Sequence, residues 1–337
     1  MDTIFNCSKR IIEKFHKLIA HSPYLSTFYV AIWGRLLRVL PDGVVKKHIV
    51  NALSSTIPWP ISPGPKLLTR LHGSSTSIQL LPHPGLMDFR ARFESTMDYE
   101  PEVVKALDHL LDDVNTVIEI GANVGLFTTF FSNKLRDAGN GGWVFVFEPS
   151  TVVFKALMEN LCANGSENVS AFNAAISDQT GFVKFFEPII GAEGYLGLSR
   201  SSLSQVHANW GGAGLVKERL VLALDGTALE SLLVRGKTLI KIDAEGAEEA
   251  ILRAIEPILC KHRPDVIIEV LYGHTGSMND LQLLVNEYAL FLLTDQGPVR
   301  HQAFIGDPNY QFRDYLLIPN ERADAVQAQI KPAPPSA

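Results

Sequence analysis

Apolar and polar positions along the chain fall into two regimes that meet near residue 99. Over residues 4–20, apolar side chains recur at Ile4, Ile11, Ile12, Phe15, Leu18 and Ile19 with lysines between them, the spacing of an amphipathic helix with a basic face. Two further helices are predicted over 25–40 and 44–53. The run Pro58-Trp59-Pro60-Ile61-Ser62-Pro63-Gly64-Pro65 suits neither helix nor central strand and reads as a proline-stiffened connector. Short strands are predicted near 77–81 and 89–93.

Beyond Tyr99 the pattern becomes regular. Pro101 opens a helix over 102–111 by occupying its first turn. Strands at 116–120, 143–147, 169–173, 219–224, 238–243 and 265–270 then alternate with helices at 124–137, 151–163, 226–234 and 247–262. A polar, glycine-containing insertion fills 191–214, and the apolar segments 290–294 and 314–318 read as a closing hairpin. Such alternation predicts an α/β fold, a doubly wound and mostly parallel sheet with helices on both faces. The expected organisation is an N-terminal helical extension with its connector over 1–95, the α/β domain over 96–320, and a disordered tail over 321–337.

The most telling segment is Val114-Asn-Thr-Val-Ile-Glu-Ile-Gly-Ala-Asn-Val-Gly125, a buried strand ending in a carboxylate and breaking into a glycine-supported turn. In doubly wound domains this is where an adenosine-bearing cofactor sits. Asn123 stands where a pyrophosphate-binding loop would want glycine, so the turn suits a cofactor without phosphates, and S-adenosylmethionine is the candidate. Glu119 would place negative charge near its ammonium and sulfonium, and Gly121 and Gly125 would let the backbone approach it. A second apolar strand, Trp143 to Phe147, ends in Glu148, an acid placed for ribose hydroxyls. A strand-end acid also caps the helix that follows it, and that alternative stays open for either residue.

Charge narrows the partners. The formal net charge of −6 argues against a nucleic-acid binder held by phosphate contacts. Residues 1–50 nevertheless hold eight basic and three acidic residues, so that stretch is +5 and the remainder −11. This leaves two readings of the N-terminal helices: a cap packed on the α/β domain, or a basic surface in peripheral contact with an anionic membrane. Cys7, Cys162 and Cys260 lie far apart, and the ten histidines form no metal-ligand spacing, so no metal is expected. Residues 1–20 carry no signal-peptide pattern and the run Phe28 to Trp33 is too short to span a bilayer, which together with the thiols predicts a cytoplasmic setting.

A third constellation, Leu239-Ile-Lys-Ile-Asp-Ala-Glu-Gly-Ala-Glu248, delivers Asp243 to the carboxyl edge of the sheet with Glu245 on the next turn. With Glu119-Ile-Gly-Ala-Asn-Val-Gly, Phe147-Glu-Pro149, Asn173-Ala-Ala-Ile-Ser-Asp178, Leu224-Asp225 and Ile268-Glu269, it comes in the order found in FkbM-type methyltransferases, which the chain resembles over about residues 97–318. The resemblance implies a seven-stranded, Rossmann-like class I sheet and methyl transfer from S-adenosylmethionine to a hydroxyl of a sugar, glycolipid or polyketide-like acceptor. It implies that Glu119, Gly121, Asn123 and Gly125 hold the methionine end, that Glu148, followed by Pro149, holds the ribose, and that Ala174, Ala175 and Asp178 line the adenine. Tyr99 and Glu100 would close over the cofactor.

Asp243 is the first candidate for general base, with Glu245, Glu269 and His274 behind it. His207 and Trp210 in the insertion are candidates for acceptor contact. Two rivals share the fold. A nicotinamide-dependent oxidoreductase would need a pyrophosphate loop that Asn123 disfavours, and a non-catalytic binding module would leave the acids and glycines without a purpose.

Overall fold

The protein is represented by a computed structural model, which describes residues 18–19, 22–41, 44–55, 66–83, 86–139, 141–188, 201–203, 216–233, 236–273, 275–281, 286–309 and 311–330. Its centre is built by three strands, each carrying a short run of Val, Ile or Leu among polar residues: β4 (Val114–Ile120), β10 (Lys237–Ile242) and β11 (Asp265–Glu269). Nearly every residue in them is buried, as expected of strands covered on both faces. With β5 (Trp143–Phe147), β6 (Val169–Phe172), β12 (Tyr288–Thr294), β13 (Gly297–His301) and β14 (Asp314–Pro319), they form one eight-stranded sheet in the order β13-β12-β14-β11-β10-β4-β5-β6. The strands from β11 to β6 are parallel, while β14, β12 and β13 join antiparallel.

This is the expected doubly wound sheet with one strand more than seven. The segments read as a closing hairpin do pair, as β12 with β14, and β13 continues the sheet beyond β12 as an edge strand. The strand order reverses between β4 and β10, because the chain runs outward from β4 to β6 on one side and from β10 to β11 on the other. A crevice at the carboxyl ends of the strands opens at such a reversal.

Helices cover both faces. α3 (Pro101–Leu110), α4 (Leu126–Ala138) and α8 (Ala323–Ile330) contribute Val103, Leu107, Phe130, Phe131, Val326 and Ile330 to the core on one side of the sheet. α6 (Glu248–His262) contributes Ile251, Ile255 and Leu259 on the other. α5 (Thr151–Asn164) sits with Leu157 and Leu161 against Val146. The short α7 (Thr275–Met278) lies beyond β11.

Four expectations need correction. Residues 219–224 do form a strand, β9 (Val216–Asp225), but it leaves the central sheet for a three-stranded one with β7 (Ala175–Ser177) and β8 (Gly181–Pro188). Residues 226–232 are 3-10 rather than α-helix. The 89–93 segment is not a strand: Met87–Arg92 is a 3-10 helix, with Phe89 and Phe93 stacked edge to face at 5.6 Å. The apolar spacing read as strand alternation places these two rings on one side of a helical turn. Finally, ordered structure does not stop at 320, since Ala323, Val326 and Ile330 of α8 are buried in the main core. Residues 331–337 lie outside the described residues, as do 4–17 and 58–65.

The N-terminal region is layered rather than separate. α1 (Pro23–Val39) and α2 (Val44–Ser55) bury Val30, Leu37, Val50 and Leu53 against Phe89 and Phe93. Strands β1 (Leu67–Leu71) and β2 (Ser77–Leu80), with β3 (Thr96–Met97) beside β1, carry Leu71, Ile78 and Leu80 into the same core as α3 and α4. Residues 67–97 therefore pack as part of the α/β domain, across the boundary expected at 95.

Candidate functional site

The turn after β4 is shaped by its glycines. Gly121 has φ +87°, and a Cβ there would fall 1.7 Å from the Asp243 carbonyl oxygen, so only glycine lets the ends of β4 and β10 come this close. Gly125 has φ +80°, and its Cβ would meet Leu157 at 2.4 Å. Asn123 also takes a left-handed conformation, φ +51°, with its Oδ1 accepting from the Val124 amide at 2.8 Å. Asp243 donates its backbone N–H to the Ile120 carbonyl at 2.9 Å, which locks the two strand ends together.

Between these strand ends lies a narrow cleft lined by Glu119, Gly121, Asn123, Phe127, Lys241 and Asp243. Tyr99 and Met87 close its side. Glu119 is buried and accepts a hydrogen bond from the Thr128 hydroxyl at 2.5 Å. Burial pushes its carboxyl up to about 7 against the opposing pull of Lys241 and Thr128. Lys241 is 1% exposed; its ammonium donates to Asp243 at 2.9 Å and sits over the Phe127 ring at 4.6 Å. Burial works against both charges of this pair, yet each prevails: Lys241 is held above its ordinary range and Asp243 below.

Glu148 stands one strand further out. Its Oε2 accepts from the Asn123 amide at 2.9 Å and its Oε1 from the Ser150 amide at 2.8 Å. The carboxylate thus braces the glycine turn and holds the Ser150 amide just ahead of α5, with a second lone pair on each oxygen still free of these two bonds. Burial raises it to about 7. Asn173 donates to the Glu148 and Pro149 carbonyls at 2.8 and 3.1 Å, fixing that corner.

Of the other residues expected at the site, Ala174 and Ala175 are buried at the carboxyl end of β6, and Asp178 is exposed after β7, accepting from the Ser177 hydroxyl at 3.0 Å. Glu100 does not line the cleft; it precedes α3 with φ 42° and pairs with Arg313 at 3.3 Å. Arg313 also holds Glu269 at 2.7 Å. Burial raises both carboxyls, Glu269 strongly, with the Asp243 charge adding to it. Glu245 has φ 50° on the turn after Asp243, and burial with the nearby Asp243 charge lifts its carboxyl to about 8. Glu248 accepts from the Ala244 and Gly246 amides at 2.9 and 2.8 Å and so shapes that turn. His274, His207 and Trp210 lie outside the described residues.

The sequence reading passed over Met87 and Phe127, and gave no role to Lys241. Lys241 was findable, since a lysine in the middle of an otherwise apolar strand has to meet a charge; Met87 carried no comparable signal. Among the described residues no group of His, Cys, Asp and Glu has the arrangement to hold a metal ion.

The sheet, parallel from β11 to β6 and extended beyond β11 by the antiparallel β14 and β12, has the class I methyltransferase fold. The methyltransferase FkbM domain matches residues 119–295, just over half of the chain, and the protein belongs to that family. Among solved structures it is similar to an FkbM methyltransferase from Methylobacillus flagellatus KT (15% identity, 61% of this chain and 44% of that one, TM-score 0.37). It thus spans less than half the length of that relative. It is also similar to SMU.1697c, a putative methyltransferase from Streptococcus mutans in complex with SAH (12% identity, 66% and 99% coverage, TM-score 0.37). A third similar structure is an rRNA methylase from Streptococcus thermophilus (14% identity, 66% and 97% coverage, TM-score 0.34). No curated protein matches the chain.

Proposed function

We propose that the protein transfers the methyl group of S-adenosylmethionine to a hydroxyl oxygen of a sugar, glycolipid or polyketide-like acceptor. The observation that carries this reading is the charge of the crevice: Glu119, Glu148 and Asp243 surround a glycine turn, opposed by Lys241 alone among the residues lining it. A site of that sign favours a ligand with a sulfonium and an ammonium and disfavours a pyrophosphate. The residues fit the group, since Glu119 and Glu148 each keep carboxylate lone pairs beyond those that accept from Thr128, Asn123 and Ser150.

When bound, the cofactor supplies an activated methyl carbon. Glu119, Gly121, Asn123 and Gly125 would hold its methionine end, with the amides opening α4 facing its carboxylate. Glu148 would accept from the ribose hydroxyls through its remaining lone pairs, with Pro149 beside it. Ala174, Ala175 and Asp178 would complete the adenine side, next to the Phe172 carbonyl that receives the Glu148 amide at 3.1 Å. Tyr99, its ring tilted against Phe127 at 5.8 Å, would close that side of the cleft against water. Asp243, kept ionised by Lys241, would take the proton of the attacking hydroxyl on a carboxylate oxygen. Alignment of that hydroxyl provides most of the remaining acceleration.

Calorimetry with S-adenosylmethionine and with NAD tests the cofactor. Saturable binding of the first and none of the second is expected; the reverse removes the reading. Labelled cofactor offered with sugar, lipid and polyketide extracts then identifies the acceptor by mass.

Peripheral contact with an anionic membrane through residues 1–50 extends this reading toward a lipid-linked acceptor. It is supported by α1, which is apolar on both sides. Val30 and Leu37 face Phe89 and Phe93, while Tyr24, Phe28 and Val39 are 88%, 67% and 79% exposed, with Leu25, Ile32 and Leu36 on the same outer face. No helix among the described residues is long and apolar enough to cross a membrane.

A further inference from the structure

Outside the segment matched by the family, a buried histidine is tied to the glycine turn by an unbroken chain of hydrogen bonds. His83 Nδ1 lies 2.5 Å from Asp88 Oδ2, and Nε2 lies 2.6 Å from Glu159 Oε2. Asp88 is the second residue of the 3-10 helix Met87–Arg92, whereas Glu159 belongs to α5. Asp88 also accepts from the His83 backbone amide at 3.2 Å and from Asn160 Nδ2 at 2.8 Å. The same Asn160 amide donates to the Val124 carbonyl at 2.9 Å, and its Oδ1 accepts from the Leu81 amide at 2.8 Å. Asp88 and Asn160 are completely buried. Met87, next in the chain to Asp88, and Val124 both line the cleft.

With Asp88 and Glu159 ionised, each ring nitrogen faces a carboxylate oxygen that only accepts, so both nitrogens carry a proton. Burial raises the Asp88 carboxyl, and the hydrogen bond and charge of His83 oppose that shift. Asp88 is surrounded by donors and has no acceptor among its partners. We propose that His83 is a positioning residue for the cofactor turn: as an imidazolium clamped between Asp88 and Glu159, it holds the Met87–Arg92 helix on Asn160 and Val124, and thereby sets the Met87 wall of the cleft. The inference rests on reading that cleft as the cofactor site.

The clamp has a direction in pH. The charged groups facing His83 are Asp88 from the 3-10 helix and Glu159 from α5, with Lys155 of α5 at 3.8 Å from Glu159. Burial opposes the imidazolium, but the hydrogen bonds and charges of Asp88 and Glu159 outweigh it, so His83 titrates above its ordinary 6.5. The tie is therefore complete below 6.5 and is lost as pH rises through the raised value. Deprotonation leaves one carboxylate without its donor, and Asp88 is the one that cannot turn to water.

The test uses the full chain, His83→Gln and Glu159→Gln. Glu159 is partly exposed, so that variant keeps its fold. Hydrogen-exchange protection of segments 86–93 and 121–128 is followed without ligand from about pH 6 to about pH 9.5, alongside calorimetric affinity for S-adenosylmethionine. In the wild type, protection of both segments is expected to fall together at alkaline pH, and the affinity relative to that of His83→Gln at the same pH, which cancels the carboxylate titrations of the cleft, to drop by about tenfold, the scale of one unsatisfied buried acceptor. His83→Gln should lose this alkaline transition, and Glu159→Gln should move it to lower pH. An alkaline transition that survives in His83→Gln, or protection of 121–128 that is the same in all three proteins, overturns the proposal. Absence of S-adenosylmethionine binding by the wild type would refute the cofactor reading instead, while the exchange data would still decide whether His83 governs the turn.

Discussion

The α-carbon of Gly121 packs directly on the backbone carbonyl of Asp243, with no room for a side chain between the two strands that flank the crevice. Gly121→Ala forces a Cβ to within 1.7 Å of that oxygen at a left-handed φ, and neither backbone can give way without unpairing β4 from β10. Strain of about 1–2 kcal/mol from the dihedral and about 1–3 kcal/mol from overpacking is expected to add. Urea denaturation should therefore show a loss of about 2–5 kcal/mol, with cofactor binding lost in whatever remains folded. A variant of wild-type stability would mean that the strands are further apart than this packing requires.

Binding should strengthen as pH rises through the neutral range. Glu119 and Glu148 have carboxyls raised to about 7, chiefly by burial. The ligand-free native state therefore retains protons that the unfolded chain releases near 4.5, so these groups stabilise the fold below 4.5 and that contribution is lost as pH rises through about 7. A cationic ligand reverses the balance by favouring both carboxylates. The rise in melting temperature on adding S-adenosylmethionine should be larger at pH 8 than at pH 6, and calorimetry should detect proton release. Glu148→Ala should lower affinity by about 1.5–3 kcal/mol, the range for a hydrogen bond to a charged group. A ligand-induced shift that is independent of pH would remove these carboxyls from the site.

What was legible in the sequence followed from burial on two faces. β4, β5, β10 and β11 are apolar runs closed by an acid, so Glu119, Glu148, Asp243 and Glu269 could be placed on one edge, although β9 shows the same pattern, Leu220 to Leu224 before Asp225, in the other sheet. β13, Gly297-Pro-Val-Arg-His301, is an edge strand with one buried side chain, Val299 being exposed, and reads as loop. β7 and β9 belong to a separate sheet, because strand alternation states that a strand exists but not which neighbour it takes. The Met87 wall was invisible because its neighbour Asp88 is held by Asn160, 72 residues away in sequence. Local periodicity carries no record of such a contact.

Asp243 and Glu245 make opposite demands on the pH–rate profile. Asp243 lines the cleft and is held below its usual range by Lys241 despite burial, so as the base it stays competent down to acid pH. Glu245, raised to about 8 by burial and the Asp243 charge, would make turnover fall below that value. The expected outcome is that Asp243→Asn lowers kcat by about 10²–10⁴-fold with cofactor affinity nearly retained, while Glu245→Gln keeps most of its activity. A turnover that titrates near 8 and vanishes in Glu245→Gln would transfer the role to Glu245. Equal losses of affinity and turnover in Asp243→Asn would place Asp243 in the cofactor site alone.

The outer face of α1 separates the two readings of the N-terminal region. Its inner side already caps the domain through Val30 and Leu37, so packing alone does not account for Tyr24, Leu25, Phe28, Ile32, Leu36 and Val39 on the other side. Those six recur at the three- and four-residue spacing of one helix face, in a stretch that carries a charge of +5 over residues 1–50. Attachment to anionic vesicles is expected at low salt. Its electrostatic part should weaken as the Debye length shrinks from about 10 Å at 0.1 M to about 3 Å at 1 M. Phe28→Glu with Ile32→Glu should abolish co-sedimentation while leaving the melting temperature within a few degrees of wild type, because neither side chain contributes to the buried cluster. Failure of the wild-type protein to sediment with anionic vesicles at low salt would leave α1 as a cap only, with its outer face unassigned.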